Sequence, residues 1–162
     1  MEAALAFGQS LVGAPYRAWV PGTVAGWTNA APFWCGPGPL PTREQIQRDG
    51  TCCTGLLNLM LRSVGKGERI PERAGWVGDT SAWGTWFEER GLLRPIATEE
   101  LERGDLLFRP WSPEDQGHVA ICLGDGLVIH SYSERGVVVE PWVSLGADYY
   151  AWRVPAAEIW RT

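Results

Sequence analysis

The apolar residues of this chain recur with one period before about residue 105 and with another after it, and a chain built that way folds its helices and its strands in separate blocks. Cys53, Leu56, Leu57, Met60, Leu61 and Val64 fall at i, i+3, i+4, i+7, i+8 and i+11 and are followed by Gly65. The spacing predicts a helix that begins near Thr51, buries one apolar face and stops at the glycine, with Cys53 in its first turn on the buried side. From Leu106 onward the pattern becomes short β-branched and aromatic runs separated by Gly, Pro or Asp, at 106–109, 118–123, 127–132, 136–140 and 149–154. These runs predict about five antiparallel strands arranged as a meander. Helices first and strands second is the order of an α+β fold.

Other helices are legible from their ends. Ala4, Leu5, Gly8, Leu11 and Val12 keep helical spacing until Pro15 stops it. Thr42 with Gln45 matches a capping box and opens a short helix that ends by Gly50. A further helix is expected from a cap at Asp79 or Thr80 to Arg90, with Trp83, Trp86 and Phe87 inward and Gly91 as its stop. Between about residues 17 and 41, Gly, Pro and Trp cluster without either period, which reads as a long ordered loop inserted in a single domain spanning 1–162. Its Trp19, Trp27 and Trp34 read first as packing residues, with an aromatic shelf for ligand as the alternative.

With 45% hydrophobic residues in 162, the chain can bury a core of its own. Its 19 acidic against 14 basic residues give a formal net charge of -5, so no attractive field exists for nucleic acid or an anionic membrane. The first residues lack the basic region of a signal peptide, and no apolar run approaches the roughly 18 residues of a membrane span. A cytoplasmic location and a single copy are the expectations. Cys35, Cys52, Cys53 and Cys122 make a poor disulfide framework, because two of them are adjacent, and are expected as free thiols.

The only two histidines, His118 and His130, lie in consecutive strand runs joined by Gly124, Asp125 and Gly126. If those three residues form the loop, His118 faces Tyr132 and His130 is its diagonal same-face neighbour, about 7–8 Å away between backbones. A two-residue loop would move the register by one and separate the imidazoles. A cysteine in a first helical turn sits beside unpaired amides and the positive end of the helix dipole, which predicts a thiol pKa lowered toward neutrality and a place for an oxyanion. Cys53, His118 and His130 supply a nucleophile, a base and a group to orient the base. A cysteine on an apolar stripe is by default a small packed hydrophobe, and spacing alone favours that reading over the catalytic one. Zinc-ligand spacing is absent, so no metal is expected.

Several segments, taken in order, resemble the NlpC-type cell-wall peptidases. Gly13, Ala14, Pro15 and Tyr16 are similar to that family's Gly-x-Pro-Tyr segment. Cys52, Cys53, Thr54, Gly55 and Leu56 resemble its Asp-Cys-Ser-Gly-Leu signature. LERGDLLFR resembles its Gly-Asp-Leu segment, and HVAICLGDGLVIHSYS its His-Val-Gly-Ile-Tyr-Leu-Gly hairpin with the second His. The resemblance implies a papain-like fold, with the catalytic Cys at a helix N-terminus packed on a C-terminal antiparallel sheet. It implies Cys53 as nucleophile, His118 as general base and His130 as orienter, with Tyr16, Cys52 and Thr54 at the substrate-binding positions. It also implies a cysteine peptidase or amidase that cuts amide bonds in peptidoglycan peptides, such as γ-D-glutamyl-diamino acid bonds, through a thioester and with no cofactor.

Two departures bear on the substrate. Cys52 and Thr54 stand where the family has Asp and Ser, and a neutral thiol cannot pair with an ammonium as a carboxylate does. Tyr16 and Cys53 are 37 positions apart, more than the resemblance leads one to expect. The alternatives are a papain-like amidase or acyltransferase on another amide or ester, in a toxin or phage lysis role, and a non-catalytic Trp-rich module that binds peptide or glycan.

Overall fold

A computed structural model describes residues 1–17, 39–74, 76–97, 100–146 and 150–161. Most of the expected loop insertion, with Trp19, Trp27, Trp34 and Cys35, lies outside the described residues. Among the described residues there are five α-helices: α1 (Glu2–Gln9), α2 (Arg43–Asp49), α3 (Cys53–Ser63), α4 (Thr80–Glu89) and α5 (Ala156–Trp160). The capping box forms as expected, since Thr42 Oγ1 accepts from the Gln45 amide at 3.2 Å and Gln45 Oε1 accepts from the Thr42 amide at 2.7 Å. Asp79 caps α4 by accepting from the Ala82 amide at 2.7 Å.

The strands are β1 (Glu72–Arg73), β2 (Trp76–Val77), β3 (Arg94–Pro95), β4 (Leu106–Arg109), β5 (His118–Gly124), β6 (Leu127–Tyr132), β7 (Gly136–Pro141) and β8 (Trp152–Val154). β1 and β2 form a small ribbon, and the other six form one antiparallel sheet in the order β3-β8-β4-β5-β6-β7. The architecture is α+β and papain-like, as expected. β4 to β7 do run as a meander, but β8 does not follow β7. It returns to the far edge of β4. The cause is a buried ion pair: Arg153 of β8 donates to Asp105, just before β4, at 2.6 Å, and Asp105 also accepts from the Ala156 amide at 2.7 Å. A fully buried carboxylate needs such partners, and they hold β8 beside β4. β3 is two residues long, too short to show any alternation in sequence.

One face of the sheet builds the main core. Val119, Ile121 and Leu123 of β5 pack there with Ile129, Val137 and the apolar face of α3, which includes Leu56, Leu57, Met60 and Leu61. Trp83 stacks on Phe87 with ring centroids 5.3 Å apart, and Phe87 meets Phe108 of β4 edge-on at 5.1 Å, which joins α4 to the sheet. The alternate positions Ala120, Cys122 and Val128 form a smaller cluster with Leu107 and Tyr150 on the other face. His118 and His130 share the parity of this second set.

The β5–β6 connection departs from the expected loop in an instructive way. β5 runs to Gly124 and β6 starts at Leu127, so the turn is only Asp125 and Gly126, both with positive φ as a tight hairpin turn of this kind requires. A bulge between Cys122 and Gly124 absorbs the missing residue, and beyond it Cys122 pairs with Val128 and Ile121 with Ile129. That is the register the three-residue loop would have set.

Candidate active site

Three local features bring the N-terminal segment, the start of α3 and the hairpin together. Thr51, immediately before the two cysteines, donates its amide to Pro15 O at 3.0 Å and accepts from Arg17 N at 3.2 Å, which lays Tyr16 alongside it. The Ser131 hydroxyl donates to Thr51 O at 2.7 Å and ties β6 to the same point. Gly13 and Ala14 exchange hydrogen bonds with Val137 of 2.9 and 2.8 Å. Here Gly136 is required, because a Cβ at that position would lie 2.1 Å from Ala14 O and its φ is +69°.

α3 begins at Cys53 with Cys52 as its N-cap, whose Sγ accepts from the Gly55 amide at 3.3 Å and lies 3.7 Å from Thr54 Oγ1. On the far wall, buried Asn58 of α3 donates to Gly78 O and accepts from Trp83 Nε1, both at 3.0 Å, and so sets the height of the 78–80 segment at the start of α4. The Thr80 hydroxyl donates to Gln116 O, just before β5. These contacts enclose a cavity of about 370 Å³ whose lining includes Cys53, His118 and the predicted binding residues Tyr16, Cys52 and Thr54. Asp79 and Trp111 also line it, and Asp79 is the one carboxylate among its described lining residues.

His130 does not line the cavity. It stands behind His118, fully buried, with its Nδ1 2.9 Å from His118 Nε2 and the two rings nearly perpendicular at 81°. The predicted imidazole pair is therefore formed. Tyr150 and Tyr132 flank His118 at ring-centroid distances of 5.8 and 6.3 Å. On its other side His130 Nε2 lies 2.8 Å from Glu140 Oε1, and Glu140 is gripped by both terminal nitrogens of Arg135 at 2.8 and 3.0 Å.

Glu140 is the member of this array that the sequence reading missed. Its signal was available by the same diagonal rule that paired the histidines: His130 pairs with Val138 in β7, and Glu140 is two positions further on, a lone carboxylate after three valines.

Electrostatically the site reverses one expectation. Burial pushes the Cys53 thiol up to about 12, with the neighbouring Cys52 adding to the rise and the amides of Val119, Thr54 and Cys53 itself opposing it. Burial likewise lowers His118 to about 3, with His130 and Arg109 acting in the same direction. His130 is also shifted down by burial, against the pull of Glu140. The Arg135 hydrogen bonds keep Glu140 below the usual carboxylate value despite its partial burial. Loss of water around a first-turn thiol that is only 8% exposed outweighs the helix terminus here. The array rests as neutral thiol, two neutral imidazoles and a carboxylate. Cys52, Cys53 and Cys122 are free thiols. Among the described residues no group of three or more His, Cys, Asp and Glu side chains is placed to share a metal ion, and no helix is long and apolar enough to cross a membrane.

Comparison with the curated proteins finds no match. Among solved structures, an NlpC/P60 family protein from Bacillus cereus ATCC 10987 superposes with a TM-score of 0.57 at 23% identity; 96% of this chain is covered, and the chain spans only 39% of that protein. The P60 domain of an antigen from Mycobacterium avium subspecies paratuberculosis gives 0.55 at 24% identity over 96% of this chain and 93% of that domain. The peptidoglycan hydrolase RipB from Mycobacterium tuberculosis gives 0.54 at 22% identity over 96% of this chain and 63% of that one. At these identities the likeness speaks for the fold. The sequence model of the NlpC/P60 family matches residues 34–154, which takes in Cys53, both histidines and Glu140, and the chain belongs to the NlpC/P60 family.

Proposed function

We propose that the protein is a cysteine peptidase or amidase that hydrolyses amide bonds in cell-wall peptides, such as a γ-D-glutamyl-diamino acid bond, by way of a thioester on Cys53. The observation that carries this reading is that Cys53, at the first position of α3, and His118, at the first position of β5, line one cavity while His130 holds His118 from behind. Family membership supports it, as does the name of RipB as a peptidoglycan hydrolase.

In this reaction Nδ1 of His118, the ring nitrogen that does not face His130, takes the Cys53 proton as the sulfur attacks the amide carbonyl carbon. First-turn amides of α3, which have no intrahelical acceptor, face the oxygen that becomes negative. His118 then delivers its proton to the departing amine nitrogen, the C–N bond breaks and the acyl group remains on sulfur. Water, giving a proton to His118, attacks the thioester, and the sulfur leaves and recovers that proton. A neutral resting pair suits this route, because charge separates only as the bond to carbon forms.

Tyr16, Cys52 and Thr54 are proposed to contact the substrate from the cavity wall. Cys52 brings no charge and its sulfur is occupied as the cap of α3, so a substrate ammonium finds its counter-charge at Asp79 instead. The same uncharged Cys52 favours a second reading, in which the chemistry is kept and the substrate is another amide or ester. Digesting muropeptides and identifying the products by mass spectrometry tests the first reading. Turnover of non-peptidoglycan amides or esters alone, lost in Cys53→Ala, would favour the second. The Trp-rich binding module rests on Trp19, Trp27 and Trp34, outside the described residues.

A further inference from the structure

We infer that Glu140 is a positioning residue for the reaction proposed above, selecting the tautomer of His130 and, through His130, that of His118. The inference rests on the Cys53–His118 reading for its catalytic consequence, and on the hydrogen-bond chain for its geometry.

His118 can serve Cys53 as a base only with a lone pair on the ring nitrogen turned toward the thiol. Its Nε2 is engaged with His130 at 2.9 Å, so Nδ1 must carry the lone pair and Nε2 the hydrogen. An imidazole in the orienting position does not enforce this by itself. A carboxylate or an amide oxygen there would only accept. A neutral His130 has one proton for two nitrogens: with the proton on Nδ1 it would donate to His118 Nε2, force the His118 proton onto Nδ1 and remove the base from the thiol.

Glu140 removes the ambiguity. Arg135 donates to both of its oxygens, at 2.8 and 3.0 Å, and an ionised carboxylate so held can only accept. Facing it at 2.8 Å, His130 Nε2 must carry the proton, which leaves His130 Nδ1 as acceptor and makes His118 Nε2 the donor. Every link then points one way, from His118 to His130 to Glu140, and the His118 lone pair falls on Nδ1, the nitrogen that does not face His130. The chain is shielded, since His130 is fully buried and the Glu140 side chain is 14% exposed. Solvent does not compete for the proton that sets the tautomer.

The test is long-range proton–nitrogen NMR on protein carrying ¹⁵N-histidine, beside steady-state kinetics. Wild type is expected to show both rings protonated on Nε2. Glu140→Leu is expected to shift His130 and His118 toward the Nδ1–H form, and to lower kcat on the order of 10²-fold with KM little changed. Glu140→Gln, whose amide oxygen still accepts, is expected to keep the wild-type tautomers and to lose less than about tenfold, the rescue that a mere packing role would not produce. Glu140→Ile supplies a second acceptor-free side chain should the leucine variant fail to fold. Unchanged tautomers in the acceptor-free variants overturn the inference, whatever happens to activity. If wild type cleaves no muropeptide, the proposed function fails while the spectra still decide the role of Glu140.

Discussion

His118 Nε2 lies 2.9 Å from His130 Nδ1, so the second histidine occupies one edge of the proposed base, whose side chain also lines the cavity. Replacing His130 by Ala should therefore lower kcat by on the order of 10² to 10⁴ while changing KM far less, because what is lost is the orientation of a reacting group and not a substrate contact. Steady-state kinetics on one muropeptide checks this. His130→Gln, which offers an acceptor without a tautomer, should keep more activity than His130→Ala.

The pH profile should be broad. A neutral His118 is needed to accept the thiol proton, so the rate falls on the acid side only as pH drops through the lowered His118 value near 3, well below the ordinary 6.5. On the alkaline side the decline belongs to a thiol pushed up to about 12. The expected plateau spans pH 6.5 to 9, and a narrow bell with both limbs inside that interval would contradict it. The same burial affects stability. A histidine whose folded value is depressed contributes its full stability above 6.5, and loses it as pH falls toward 3. Urea unfolding between pH 7 and 4 should show a steeper acid loss in wild type than in His118→Asn.

Cys52 is the cap of α3, and in the proposed reaction it is not a second nucleophile. Its sulfur accepts from the Gly55 amide and is 1% exposed, against 8% for Cys53. Brief iodoacetamide treatment, followed by peptide mapping, should modify Cys53 before Cys52. Cys52→Ala should cost about 0.5–1 kcal/mol through the lost cap, and Cys52→Asp should recover it, because an oxygen caps a helix better than sulfur. Thermal unfolding reads both.

Asp79 combines a cap with the one carboxylate in the described cavity lining. Asp79→Asn keeps the cap and removes the charge, since Asn caps as well as Asp. KM for a peptide with a free amino end should rise about tenfold, the scale of one lost charge-assisted contact, with kcat and Tm nearly unchanged. Equal KM values for the free and the acetylated peptide in wild type would remove Asp79 from substrate recognition.

Much of the fold could be read before any coordinates, for reasons specific to each element. The α3 stripe and the Thr42–Gln45 box were legible because both are written within one helical segment. The histidine pair was legible because strand parity carries across a hairpin, even though the turn is one residue shorter than read and the Leu123 bulge compensates. β8 was misplaced because its partner is chosen by the Asp105–Arg153 pair, 48 positions apart, and no local pattern records such a choice. The raised thiol of Cys53 was missed for a related reason: a first-turn position is visible in sequence, but the loss of water around it depends on what packs there. Glu140 lay in view two positions beyond the strand partner of His130, and it needed the β6–β7 register to become meaningful.

The central claim is that Cys53 is the nucleophile of an amide hydrolase acting on cell-wall peptides. Intact-mass spectrometry of the protein mixed briefly with a muropeptide, alongside analysis of the products, tests it most directly. The account expects wild type to split one amide bond and to carry a transient acyl adduct that maps to Cys53, and it expects Cys53→Ala to show neither while Cys52→Ala shows both. Undiminished cleavage by Cys53→Ala would contradict it.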